Sequence, residues 1–249
     1  MDTECREPTL DRLDDRVRFY LERELGFPLD SFPRAGIAVS ESPKRTDEPR
    51  HRMLIAGIGH RALATGTPRV VSAIGPVIRT MSVWELFSPL GLAELGRVLQ
   101  PENPDVAELC FNYTLTSEHY RAPRQRSRAP VKLPDLDTHT PPDDADLLKG
   151  PQVLPPGQDF VPAFAIYQDD RQVATSGIRW RAPGFVEIGV GTEEGYRGRG
   201  YGRAVVASAA EWILSQGTVA CYGAVPANIP SLRIPRGLGF RLAWLDIAA

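Results

Sequence analysis

The segment Thr192–Arg203, read TEEGYRGRGYGR, constrains this chain more than any other stretch. A β-like run, Phe185–Gly191, leads into it, and an apolar-periodic helical run, Gly202–Ser215, follows. The first amides of a helix have no intrahelical acceptor, and the helix dipole makes that end attractive to negative charge. Gly198, Gly200 and Gly202 keep side chains away from that backbone, while Arg197, Arg199 and Arg203 add positive charge beside it. Tyr201 sits among them. A strand, a Gly- and Arg-rich loop and a helix in this order predict an anion cradle, suited to a diphosphate.

Two familiar phosphate loops do not fit. A Rossmann loop, G-x-G-x-x-G, would require glycine where Arg203 stands, and the P-loop's Lys-Ser or Lys-Thr pair is absent. The elements upstream also differ from a βαβ unit. Val161–Tyr167, Gln172–Trp180 and Phe185–Gly191 read as three strands joined by turns at 168–171 and Pro183-Gly184, an antiparallel meander. Downstream, Val219–Val225 reads as a strand, a helix follows from about Asn228, and Arg241–Ile247 reads as a last strand.

The N-terminal part is predicted as a smaller α+β domain, residues 1–120. Leu13, Val17, Tyr20, Leu21 and Leu25 mark an amphipathic helix that Gly26 and Pro28 end. Arg52–Gly59 and Pro68–Ile78 read as strands, Ser82–Leu99 as one or two short helices, and Ala107–Leu115 as a further strand. Residues 121–158, rich in Arg, Pro and Asp, read as a connector whose Arg121, Arg124, Arg126 and Arg128 form a solvated surface. Residues 159–249 form the domain that carries the loop. The fold class expected is α+β, with a mixed sheet.

Composition narrows the partners. With 29 basic and 31 acidic residues the chain has a formal charge of −2, so no global positive field would recruit nucleic acid or an anionic membrane. No apolar run approaches the roughly 20 residues of a membrane span, and the start MDTECREPTL lacks a secretory apolar segment; a cytoplasmic location is expected. Cys5, Cys110 and Cys221 lack metal-site or disulfide spacing and read as reduced thiols. His51, His60, His119 and His139 are scattered, and no metal site is expected.

Residues 160–246 resemble the GCN5-related N-acetyltransferase (GNAT) family. Its signature, Gln or Arg followed by x-x-Gly-x-Gly or Ala, is matched by Arg197, Gly200 and Gly202. Its later segment, an Asn and a small residue opening a helix that ends at Gly-Phe, is matched by Asn228, Ser231 and Gly239-Phe240. The order of elements is similar to the FR47-like subgroup. The resemblance implies a GNAT-like acyl-CoA N-acyltransferase fold, acetyl-coenzyme A as co-substrate, and acetyl transfer to an amine of a small molecule or protein. It further implies that Gly198–Arg203 hold the pyrophosphate, that the strands at 185–192 and 219–225 splay around the pantetheine arm, and that Asn228 contacts that arm.

An attacking amine must be neutral, the tetrahedral oxyanion needs donors, and the thiolate must depart. Glu187 is the candidate base, its neighbours Val186 and Ile188 alternating to the other face of the strand; the same residue would also suit a salt bridge. Backbone N–H groups of Val190, Gly191 and Thr192 are the candidate oxyanion donors implied by the resemblance. Glu193 and Glu194 read as surface acids. The family's usual proton donor is a Tyr seven residues after the Asn, where this chain has Pro235. Tyr222 is the candidate substitute, or else a buried structural tyrosine. The departure leaves a noncatalytic acetyl-coenzyme-A sensor or regulatory module as the alternative to an enzyme. The family's final strand is not expected here, so the N-terminal region or a second copy of the chain, in a homodimer, would complete the sheet.

Overall fold

The structure, a computed structural model, describes residues 9–10, 13–46, 51–99, 108–123, 131–132 and 162–249. The chain divides into two compact units: residues 1–112 with 242–249, and residues 113–241. Both mix helices with strands, as the composition and patterning predict. No described helix is long and apolar enough to cross a membrane.

The first unit opens with helix α1, Asp15–Leu25. Asp14 caps it by accepting from the Arg16 N–H at 2.9 Å, and Gly26 ends it in the left-handed region at φ 77°. Val17, Tyr20, Leu21 and Leu25 are its buried stripe, as predicted from spacing; Leu13, counted with them, precedes the helix and is half-buried. Strands β1 (Gly36–Glu41), β2 (Met53–Ile58) and β3 (Arg61–Gly66) follow, β1 parallel to β3 and β2 antiparallel to β3. Helices α2 (Pro68–Ile78), α3 (Val83–Leu86) and α4 (Pro89–Leu99) come next, then β4 (Glu108–Leu115), which passes from the first unit to the second after Asn112.

One expectation fails here: Pro68–Ile78 is a helix rather than a strand. The Val- and Ile-rich composition points to β-structure, but Thr67 caps the segment by accepting from Val70 N–H, and Pro68 occupies the first turn, where its missing N–H costs nothing. Val70, Ile74 and Ile78 then fall on one stripe at i, i+4, i+8 and are buried with Met53, Ile55, Leu86 and Leu95. Burial of that stripe outweighs the few tenths of a kcal/mol by which β-branched residues disfavour a helix.

The second unit contains the short strand β5 (Val131–Lys132), the meander β6 (Phe164–Gln168), β7 (Arg171–Ala182) and β8 (Phe185–Thr192), helix α5 (Tyr201–Ser215), strand β9 (Val219–Ala224) and helix α6 (Ile229–Leu238). β5 lies within the stretch read as a connector; the rest of residues 124–161 falls outside the described residues, with Arg124, Arg126 and Arg128 among them. β6 to β8 pair antiparallel, and β9 pairs parallel with β8 after the α5 crossover. Ala204, Val205, Val206, Ala207, Ala209, Ala210 and Ile213 bury most of the circumference of α5. Ser176 on β7 donates to the Val205 carbonyl at 2.8 Å and so ties the helix to one face of the sheet.

Strand β10 (Arg241–Ala248) returns the chain to the first unit, the boundary falling between Arg241 and Leu242. There it pairs antiparallel with β2, Ile247 opposite Ile55 and Leu245 opposite Gly57. The N-terminal region thus supplies a sheet neighbour for the last strand.

Candidate functional site

The loop between β8 and α5 lies at the end of β8 where pairing with β9 stops. The register runs Phe185–Val219, Val186–Ala220 and Glu187–Cys221, and no β8–β9 pair is formed beyond it. β7 stays paired with β8 as far as Thr192. The opening is therefore on the β9 side. Val219 N–H donates to the Gly184 carbonyl at 2.9 Å, so even-numbered residues of β8 direct their backbone groups toward β9. Val190 and Thr192 consequently present their amides to the split; Gly191, by the same alternation, faces β7.

Past Thr192 the chain makes a 3₁₀ turn, Glu194–Tyr196, and enters α5 through Gly198 at φ 76° and Gly200 at φ 85°. These left-handed values are why glycine is needed here, since no atom lies within 4 Å of a Cβ placed at either position. Gly202 is different: a Cβ there would sit 3.0 Å from Thr192 Oγ1 and 3.5 Å from Ile234 Cδ1, so α5 begins in close contact with β8 and α6.

Gly200 caps α5 without a side chain, no acid occupies the first turn, and the first helical bond is Ala204 N–H to Gly200 O at 3.1 Å. None of the amides from Gly198 to Arg203 donates to an acceptor among the described residues. Arg197 and Arg199 brace the loop: Arg197 Nε donates to Thr192 O at 3.2 Å, and Arg199 Nη2 to Gly195 O at 3.0 Å while its guanidinium lies 5.1 Å from the Tyr196 ring centroid. Tyr201 Oη donates to Gln168 at 3.2 Å, tying the helix start to β6. Arg203 is exposed on the first turn. Open amides, a helix dipole and exposed guanidinium groups meet at one place, and that arrangement suits a diphosphate.

Glu187 faces away from α5. It is directly opposite Arg179, whose Nη2 lies 2.6 Å and Nε 3.2 Å from Glu187 Oε2, and Arg181 Nη1 reaches the same oxygen at 3.4 Å. Both arginines escape a reading of the loop alone; the signal for Arg179 was the cross-strand pairing of β7 with β8. Glu193 forms an ion pair with Arg171 at 2.9 Å, and Glu194 is exposed.

Tyr222, the first β9 residue past the paired stretch, points to the side of the sheet that Glu187 does not. It is 1% exposed, and its hydroxyl lies 2.7 Å from Ser231 Oγ; burial pushes its pKa up to about 12, the Ser231 bond only partly opposing. Its ring meets Phe240 edge-on at 6.2 Å. Asn228 is the N-cap of α6, its Oδ1 accepting from Ser231 N–H at 3.2 Å. Pro235 is buried in α6.

The structure therefore brings together Val190, Thr192 and the Gly198–Arg203 loop, and beside them Asn228, Ser231 and Tyr222 on β9 and α6. Glu187 sits on the opposite face of β8.

Residues 125–240 match the model of a family described as acetyltransferase (GNAT) family, and the match reaches back into the stretch read as a connector. The family matched is the general one. No curated protein matches the chain. Among solved structures, a GNAT-family protein from Novosphingobium aromaticivorans DSM 12444 is 19% identical with a TM-score of 0.43, over 58% of this chain and 64% of that one. A GCN5-related N-acetyltransferase from Kribbella flavida is 19% identical with a TM-score of 0.42, over 62% of each chain. The chain thus spans slightly less than two thirds of the length of either.

Proposed function

We propose, from the GNAT acetyltransferase domain at residues 125–240, that this protein transfers an acetyl group from acetyl-coenzyme A to an amine. The observation that carries the reading is the row of unpartnered amides from Gly198 to Arg203, opening α5 where β8 parts from β9. These residues fit the coenzyme's diphosphate by charge and by donor geometry, and the split beside them is open for its extended arm. The coenzyme would supply an activated acetyl thioester; the chain supplies position and electrostatics.

In this reading the Val190 and Thr192 amides bind the oxyanion that forms when the amine adds to the carbonyl. Asn228 lines the arm. Glu187 takes the amine's proton through Oε1, since the arginine contacts fall on Oε2. The acceptor is a primary amine of a small molecule or protein.

Arg203→Glu tests the cradle. An acid in the first turn favours the helix dipole, so the folded state should be as stable as before or slightly more so. Reversing the charge beside a bound diphosphate should nevertheless weaken acetyl-coenzyme A binding about tenfold or more, read by calorimetric titration. Unchanged affinity overturns the placement.

The noncatalytic sensor remains a second reading because Pro235 offers no donor to a leaving thiolate. Thiol release from acetyl-coenzyme A, with hydroxylamine as a minimal acceptor, separates the two: turnover above the uncatalysed rate excludes the sensor, and binding without turnover excludes the enzyme.

A further inference from the structure

We propose that the Ser231 hydroxyl, held by Tyr222, is the donor that meets the sulfur of the departing thiolate; the inference rests on the acetyl-transfer reading. α6, with the sequence IPSLRIPRGL, carries one hydroxyl, and it is Ser231. Its other polar side chains, Arg233 and Arg236, are exposed. Ser231 is half-buried and lies one turn before Ile234, the residue that touches the start of α5 beside Gly202. It therefore lies on the α6 face that looks toward the coenzyme cradle. Tyr222, to which it is bonded, is the first β9 residue beyond the last β8 pair, at the root of the split.

Two independent bonds set the position of Ser231. Asn228 Oδ1 receives its backbone N–H, and Tyr222 Oη lies 2.7 Å from its Oγ. A hydroxyl has one proton to give and two lone pairs. Either hydroxyl can donate in this bond; in the proposed arrangement Tyr222 donates to Ser231 Oγ, which leaves the Ser231 proton to point outward. The amine nitrogen bonds to the acetyl carbon, the C–S bond breaks, and its electron pair goes to sulfur. Ser231 donates a hydrogen bond to that sulfur and keeps its own proton; the amine's proton leaves through the base. A thiol of ordinary pKa near 8.5 departs as thiolate when it is so stabilised. Tyr222 is a positioning residue, since it acts through Ser231.

Thiol release with hydroxylamine as acceptor is the test, alongside acetyl-coenzyme A titration of each variant. Ser231→Ala should lower kcat about 10- to 100-fold, the loss expected for one hydrogen bond to a charged group, with coenzyme affinity nearly unchanged. Ser231→Thr, which keeps the hydroxyl, should recover most of that loss. Tyr222→Phe should lower kcat in the parent protein and have no further effect on kcat in the Ser231→Ala background. Full activity of folded Ser231→Ala overturns the inference, as does a Tyr222→Phe loss of equal size in both backgrounds. If the parent protein binds acetyl-coenzyme A and releases no thiol, the enzymatic reading falls and this inference falls with it. Undiminished turnover in folded Ser231→Ala overturns the donor role alone.

Discussion

Glu187 shows how a side chain's neighbours decide what its chemistry can be. The sequence offers it equally as a base or as half of a salt bridge, and it forms the salt bridge, with Arg179 and Arg181 gathered on one oxygen. The two roles are separable by pH. An alkylamine of pKa near 10 needs a base at neutrality and needs none once it is itself deprotonated. With such an acceptor, Glu187→Gln should cut kcat/KM about 100-fold or more near pH 7 and converge on the parent as pH approaches 10. A pH–rate profile of thiol release checks this. A deficit of constant size across the range would assign Glu187 to the ion pair and remove it from the mechanism.

Elements place the functional side chains, and their ends matter most. α6 begins on the Asn228 cap and stops at Gly239, at φ 90°, where a Cβ would collide with the His119 carbonyl oxygen. Its direction, and with it the height of Ser231 over the split, is therefore held at both ends. Gly239→Ala forces a left-handed conformation on an L-residue as well as a backbone collision, and should cost about 2 kcal/mol or more in urea unfolding. The same variant should lose kcat by more than the unfolded fraction explains if α6 positions Ser231. α5 is the complementary case: most of its residues are buried, and the amides that open it have no side-chain cap.

In the molecule taken as a whole, strand β10 belongs with a strand of the N-terminal region. β10 pairs with β2, and Ile247, fully buried, joins the core formed by Ile55, Ile74, Ile78 and Leu95. Ile247→Ala should therefore destabilise the unit formed by residues 1–112 and 242–249 by about 2–5 kcal/mol. Protease sites between residues 51 and 99 should become susceptible first, which limited proteolysis with mass analysis would show. Retained protection there would mean that β10 contributes little to that core.

Much of this was legible in the residues themselves because it depends on local physics. The anion loop was readable since glycine's φ range, arginine's charge and the exposed amides of a helix start all act within a few positions of one another. The meander, α5 and β9 followed from periodicity and turn residues, α6 from the resemblance of Asn228, Ser231 and Gly239-Phe240, and the stripe of α1 came out except at Leu13, which precedes the helix. Pro68–Ile78 could not be decided by composition: its β-branched residues favour a strand, and only the core that receives Val70, Ile74 and Ile78 makes it a helix, although Thr67-Pro68 was a local sign of one. Tertiary structure alone brought Arg179 and Arg181 onto Glu187, Tyr222 onto Ser231, and β10 to β2. Each of these joins residues by pairing or packing rather than by spacing along the chain, and register between strands is set by the burial of whole faces, which no short segment encodes.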